Sequence, residues 1–565
     1  MTANILNIFD QTIQYGSITL DQGRIARIDL VGPEQPGQPY IMPGFVDAHV
    51  HIESSLLTPP QFARLAVVHG TVATVSDPHE IGNVLGVAGV EYMLNEAKRV
   101  PFKFMFGAPS CVPATTFETA GARIDVEEVR HLLSLPDIGY LAEMMNYPGV
   151  LQQDADVLAK IALAKSAGKP VDGHAPGLTG TDAQQYIDAG ISTDHECFTY
   201  EEGLDKARRG MHILIREGSA ARNFDALIPL LNEFPAQIMF CSDDKHPDTL
   251  ALGHINQLVI RAIEAGCPRW SVLRAACLNP VLHYRMPVGL LQEGDLADFI
   301  VVDDLIDFRV RQTVINGEVV AEAGESLIAD LRSEHVNNFT CSPKEVADFA
   351  VPAPTDNPRI RVIEALDGQL ITNQLHFDAT VVDGQIVADP ARDVLKLVVV
   401  NRYQDVPPAV AFVKNFGLQR GAMASSVAHD SHNIIAVGCN DASICNAINQ
   451  IIDAKGGLSA VNTAEPHEHD DERMSRRQFL HITTTPDNQL LRLPVAGLMS
   501  DTDGYDVAAQ YAALDRFVKQ DLGSTLSAPF MTLSFMGLLV IPALKLSDMG
   551  LFDGKLFNFN PTVLN

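Results

Sequence analysis

An apolar strand followed by a helical stretch recurs eight times between residues 43 and 286, and this repeat constrains the fold more than any other feature of the chain. Strands are expected at 43–51, 71–75, 102–106, 139–142, 170–173, 191–193, 212–215 and 237–241, with helices such as 154–167 and 254–265 between them. Eight alternating units predict a TIM-type (β/α)8 barrel, an α/β fold whose functional residues gather where the strands end.

Those ends carry metal-ligand side chains. The first strand runs through Pro43-Gly44-Phe45-Val46-Asp47-Ala48-His49-Val50-His51. Alternate side chains of a strand share a face, so Asp47, His49 and His51 do. A bare HxH is as readily two ordinary strand histidines. Here, however, strand four ends at Glu143, strand five at His174, strand six at His195 and strand eight at Asp243. One barrel mouth would collect four imidazoles and two carboxylates. That is too many for one tetrahedral ion with an open position, and it suits two divalent metals sharing a bridging ligand. Donors without sulfur suit zinc, manganese or iron alike.

The flanks read differently. Residues 1–42 are short strands with a hairpin signal at 17–28, too little sheet for a domain. Residues 294–302 and 313–320, with their Asn316-Gly317 turn, have the same character. A small β-sandwich domain split as 1–42 plus 287–330 is therefore expected around the barrel at 43–286. Residues 321–345 read as a connection. An additional C-terminal α+β domain is expected at 346–565, with a strand at 394–400, a helix at 442–454 and a polar loop at 465–472. Three domains suit 565 residues.

The net charge of −29 disfavours nucleic acid and anionic membranes as partners. Eight scattered cysteines without a CxxC pair suggest reduced thiols in a cytoplasmic protein. Residues 1–10 show no basic region before an apolar run, so no signal peptide is expected. The apolar run 537–544 is too short to span a bilayer. Trp270, in a helical run, is expected in the core. The HxE…PCxxC pattern of zinc cytidine-type deaminases is absent.

The strand-end pattern resembles the amidohydrolase superfamily, whose barrel carries HxH after strand one, histidines after strands five and six, and an aspartate after strand eight. Many members bridge their metals with a carboxylated lysine after strand four. Glu143, in Ala142-Glu143-Met144-Met145-Asn146, departs from that variant. Within the superfamily the chain resembles the bacterial adenine deaminases over nearly its whole length. The motifs are His49-Val50-His51-Ile52-Glu53-Ser54-Ser55, Ser76-Asp77-Pro78-His79-Glu80-Ile81 and Cys241-Ser242-Asp243-Asp244-Lys245-His246-Pro247. Two more fall in the third segment, Val427-Ala428-His429-Asp430-Ser431-His432-Asn433-Ile434 and Leu493-Pro494-Val495-Ala496-Gly497-Leu498-Met499-Ser500-Asp501.

That resemblance implies hydrolysis of adenine to hypoxanthine and ammonia by a metal-activated hydroxide attacking C6, with Asp243 as proton carrier. It implies two divalent metal ions, Mn(II) favoured, with Fe(II) or Zn(II) open. Their ligands would be His49, His51, Glu143, His174, His195 and Asp243, with Glu143 as the bridge. His79, Asp244, His246, His429, Asp430 and His432 are candidates for contact with the purine, against plain turn roles. The expected partners are a purine base and a second copy of the chain, as a homodimer or higher homo-oligomer. The alternatives are another amidohydrolase acting on a cyclic amide or N-acetyl substrate, and a non-catalytic scaffold relative.

Overall fold

The computed structural model describes residues 1–462 and 488–564, so the loop expected at 465–472 lies outside the described residues. The chain opens with β1 (Thr2–Asn7), β2 (Thr12–Asp21), β3 (Arg24–Pro33) and β4 (Tyr40–Pro43). Eight parallel strands follow: β5 (Phe45–Val50), β6 (Thr71–Ser76), β7 (Lys103–Ala108), β8 (Ile138–Met144), β9 (Val171–Gly173), β10 (Thr193–Asp194), β11 (His212–Arg216) and β12 (Ile238–Cys241). Ser192 N–H donates to the Val171 carbonyl at 2.9 Å, and Asp243 N–H donates to the His49 carbonyl at 2.9 Å. These bonds join β9 to β10 and the end of β12 to β5, closing the ring. Every residue of β5, β6 and β12 is buried. Strands covered on both faces lose polar alternation, which is why these segments read as nearly continuous apolar runs. β10 is only two residues long and begins two positions later than the expected strand.

Beyond the barrel come β13 (Phe299–Val302), β14 (Val310–Ile315), β15 (Glu318–Glu322) and β16 (Glu325–Ser326). They complete one eight-stranded sheet in the order β16-β15-β14-β13-β4-β1-β2-β3. Its strands alternate faces. Ile41, Phe299, Val301 and Val314 fill the sheet's own core, while Met42, Ile300, Val302 and Ile315 join the barrel's core. Its tight turns use Gln22-Gly23, at φ 47° and 76°, and Asn316-Gly317, at φ 51° and 79°. Two successive positive φ values match the twist of a two-residue hairpin. The connection expected from 321 starts only at 327, because β15 and β16 occupy the positions before it. It is held down on the protein, for instance by Gln61 Nε2 donating to the Leu331 carbonyl at 3.1 Å and by Ser333 N–H donating to Asp501 Oδ2 at 3.1 Å.

The last third of the chain forms a nine-stranded sheet. The helix Asp441–Ala454 covers it, capped by Asn440 Oδ1 and burying Ile444, Ile448, Ile451 and Ile452 along one stripe. Trp270 is half-buried against the barrel core, and all eight cysteines are unpaired.

At the barrel's opposite end, His283 lies against His212 with ring centroids 4.3 Å apart. Burial, then the neighbouring His212 and Arg285, push its pKa down to about 3. The unfolded histidine, near 6.5, takes up a proton that the folded one refuses. Stability from this group is therefore lost as pH falls from about 6.5 toward 3. Substituting Gln removes that share, about 2 kcal/mol by pH 5. His283→Gln should thus lose less melting temperature than the parent between pH 7.5 and 5, and equal losses would refute the assignment.

Candidate metal centre

The six residues singled out at the strand ends converge, all of them buried. His49 and His51, on one face of the β5 end, place their Nε2 atoms 3.2 Å apart. Asp243 Oδ1 lies 3.5 Å and 3.4 Å from them. Glu143 stands in the middle. Its Oε1 is 3.3 Å from His51 Nε2, and its Oε2 is 2.6 Å from His174 Nδ1 and 3.2 Å from His195 Nε2. One carboxylate thus faces His51 with one oxygen and His174 and His195 with the second.

Their donor atoms can close on cations. Within His49, His195 and Asp243 they lie within 4.8 Å of one another, and so do those of Glu143, His174 and His195. His49 Nδ1 and His174 Nε2 are buried without a hydrogen-bond partner. Convergent imidazole and carboxylate donors of this kind fit divalent metal ions. Among the protein groups alone, protons do the balancing. Burial opposes charge on His51 and His195, but Asp243 and Glu143 outweigh it, lifting His51 well above its ordinary range and His195 to about 9. Burial likewise works against ionised Asp243 and Glu143, yet Arg216 for the first and His174 for the second hold them well below the usual carboxylate range.

Several further residues support this centre. Arg216, at the end of β11, donates from Nη1 to Asp243 Oδ2 at 2.7 Å and grips both oxygens of Glu196. The barrel rule alone could have found it, since it ends the seventh barrel strand. Asp47 accepts from Ser242 N–H at 3.0 Å and pairs with His254 Nε2 at 2.8 Å, anchoring the loop that carries Asp243. Lys206 ties Asp194 to the Ala175 carbonyl, joining the loops that carry His174 and His195. Asp77 Oδ1 lies 3.2 Å from His79 Nδ1, which faces Glu143 Oε1 at 3.5 Å.

The weaker candidates are not surface turns. His79 and Glu80 are buried at the start of the helix His79–Leu85. His429 and His432, from the segment between the strands Ala422–Ser425 and Ile434–Gly438 of the C-terminal sheet (the third layer of the chain), both reach Glu80: His429 Nε2 lies 3.1 Å from Oε1, and His432 Nε2 pairs with Oε2. His429 also sits 3.4 Å from Asp244 Oδ1, which accepts from Ser54 Oγ at 2.5 Å. Asp430 Oδ1 is 3.8 Å from His79 Nε2, and its Oδ2 is buried without a hydrogen-bond partner. His246 is set back, its ring 4.5 Å from that of Tyr511, in an adjoining small cavity shared with Ser54 and His429. Leu370, Phe535 and Leu538 roof the chamber, whose volume is about 20 Å³. That is room for about one water.

A barrel with this donor set defines a metal-dependent amidohydrolase, and residues 40–320 match the model of the amidohydrolase family. Residues 369–469 and 482–558 match the adenine deaminase C-terminal domain. The chain is 54% identical over 559 residues to the adenine deaminase of Sulfurovum sp. (strain NBC37-1), covering 99% of this chain and 98% of that one. It is 53% identical to the adenine deaminase of Salinibacter ruber, again over 99% and 98%, and 50% identical to that of Methanosarcina barkeri over 96% of each. The chain belongs to the adenine deaminase family. No helix among the described residues is long and apolar enough to cross a membrane.

Proposed function

We propose that the protein hydrolyses adenine to hypoxanthine and ammonia at the mouth of the barrel. The observation that carries the reading is the junction at Glu80. It brings His429 and Asp430 of the third layer over the six convergent donors, in a chain related end to end to adenine deaminases. His49, His51, Glu143, His174, His195 and Asp243 would hold two divalent ions, Mn(II) favoured, with Glu143 between them. When bound, the ions supply a water activated near neutral pH for attack on a polarised carbon.

The protein's own groups do the rest. Asp243 is the proton carrier: Arg216 fixes Oδ2, leaving Oδ1 toward His49 and His51, where a proton can be taken from the attacking water. After water has added to C6 and the ring charge has moved to N1, the proton delivered to the exocyclic nitrogen lets the C6–N bond break and ammonia leave, while the water's second proton ends on N1, so that adenine and water become hypoxanthine and ammonia. Asp430 Oδ2 and Glu80, with His79, His429 and Asp244 around them, offer acceptors and donors to the purine edge. His246 and His432 support that wall. The apolar roof keeps out bulk water and must swing aside to admit a base. A ribose on N9 would be hard to enclose, so adenosine is expected to be a poor substrate. The small β domain at 1–42 plus 287–330 and the C-terminal domain at 346–565 serve as supports of the catalytic unit at 43–286. We place the protein in the cytoplasm as a homodimer or higher homo-oligomer.

The test is to incubate manganese-replete protein with adenine, adenosine, cytosine, a hydantoin and an N-acetyl sugar, measuring ammonia and hypoxanthine. Ammonia and hypoxanthine from adenine are expected. Turnover of the hydantoin or the N-acetyl sugar without adenine would replace this reading by the other amidohydrolase one. Because His51, His174 and His195 are raised above their ordinary values, metal loading should release protons and weaken as pH falls. Manganese uptake in a weakly buffered solution should therefore acidify it, and no acidification would contradict the ligand set.

A further inference from the structure

Two cavities away from the barrel mouth have volumes of about 360 and 320 Å³. The second opens on the barrel's flank, between the loop after β11 and the helix Ile255–Glu264. Its wall carries Arg222, Lys245, Arg261 and Glu217, with Thr249 and Gln257 as polar neighbours. Arg261 is already matched, 2.6 Å from Glu217 and 3.0 Å from Asp225. Arg222 spends Nε and Nη2 on the carbonyls of Gly218 and Ser219, each at 3.2 Å, and meets no carboxylate among the described residues.

Lys245 is the telling group. It is 6% exposed, and among the described residues it makes no hydrogen bond and no ion pair. Burial, with Arg222 beside it, pushes its pKa down to about 8, against the pull of Asp47, Glu217 and Asp248. Asp47, though, is engaged by Ser242 and His254, Glu217 by Arg261, and Asp248 is not on the cavity wall. An ammonium taken out of water without an acceptor is costly, and it is normally found paired. Lys245, without a partner among the described residues, and the exposed Arg222, which meets no carboxylate, therefore line one cavity with room for more than an ion.

We propose that this cavity binds a small phosphate-class anion between Arg222 and Lys245. A tetrahedral dianion matches the two charges, and guanidinium and ammonium are its usual partners. Leu258 and Ile260 give the walls for an organic remainder. The site backs onto the reacting centre. Ser219 N–H donates to the Asp244 carbonyl at 2.8 Å, and His246 N–H donates to Ser219 Oγ at 2.8 Å. Lys245 itself follows Asp243 and Asp244 in the chain. A bound anion would stiffen that loop from behind.

Calorimetric titration of the full chain with inorganic phosphate, a nucleoside 5′-monophosphate, the matching nucleoside and acetate tests this. One saturable phosphate or monophosphate site per chain is expected, with acetate and the nucleoside at least about tenfold weaker. Arg222→Gln and Lys245→Gln should each weaken phosphate by about tenfold or more, and Arg222→Lys should restore most of it. Lys245→Gln breaks no hydrogen bond in the fold, so it serves if Arg222→Gln does not fold. Absence of saturable binding, equal binding of acetate, or phosphate affinity unchanged in Lys245→Gln would overturn the proposal. The last result would place the anion on the metal centre instead. None of these readings depends on adenine turnover.

Discussion

Asp243→Asn should lower adenine turnover by about 10²-fold or more, the size of lost general acid–base work. The asparagine keeps the shape and one oxygen, so Arg216 still has an acceptor, but a carboxamide cannot carry a proton between the attacking water and the departing amine. Two features make the effect large. The group is buried, leaving bulk water no easy access as a substitute. Its Oδ2 is pinned by Arg216, so the proton has a single oxygen, Oδ1, to travel on. Since that oxygen also belongs to the donor set, bound metal must be measured in the same sample. A metal-replete Asp243→Asn protein with near-normal turnover would remove Asp243 from the mechanism.

The second large effect is expected at Glu80. Its carboxylate is held well below the usual range, burial working against it and His429 and His432 prevailing. It is the hinge pin between barrel and third layer. Glu80→Gln preserves volume but removes the charge to which both histidines are matched. Losing a buried charged hydrogen bond costs about 2–5 kcal/mol, and about 1.4 kcal/mol is a factor of ten in rate. A fall in kcat/KM of about 10²-fold is therefore expected, with bound metal unchanged because Glu80 is outside the six donors. Full activity in the folded variant would return the third layer to a purely structural role. A His432→Ala test is less clean: the ring is fully buried, so truncation also leaves a cavity.

The convergence of the six donors was legible in the sequence because a barrel converts a one-dimensional rule, residues at strand ends, into three-dimensional proximity. His49, His51, Glu143, His174, His195 and Asp243 needed no knowledge of distance. Arg216 and Glu196 obey the same geometry but escaped, because an arginine after an apolar strand looks like any solvated end. The contacts of His429 and His432 with Glu80 bridge about 350 positions, and no local pattern reports a pairing at that separation. The roof escaped for the opposite reason: Leu370, Phe535 and Leu538 are ordinary apolar residues whose role exists only in the fold. The small domain was readable from its Asn-Gly hairpin and strand lengths, whereas the two-residue β10 is too short for periodicity to place its start.

The most direct measurement is a titration of metal-stripped protein with manganese, following bound metal and hypoxanthine formation from adenine in one series. Activity is predicted to rise in step with occupancy to a limit of up to two ions per chain, while His49→Ala gains neither. Full hypoxanthine production before any metal is added, or a fully loaded protein that leaves adenine intact, would contradict the account.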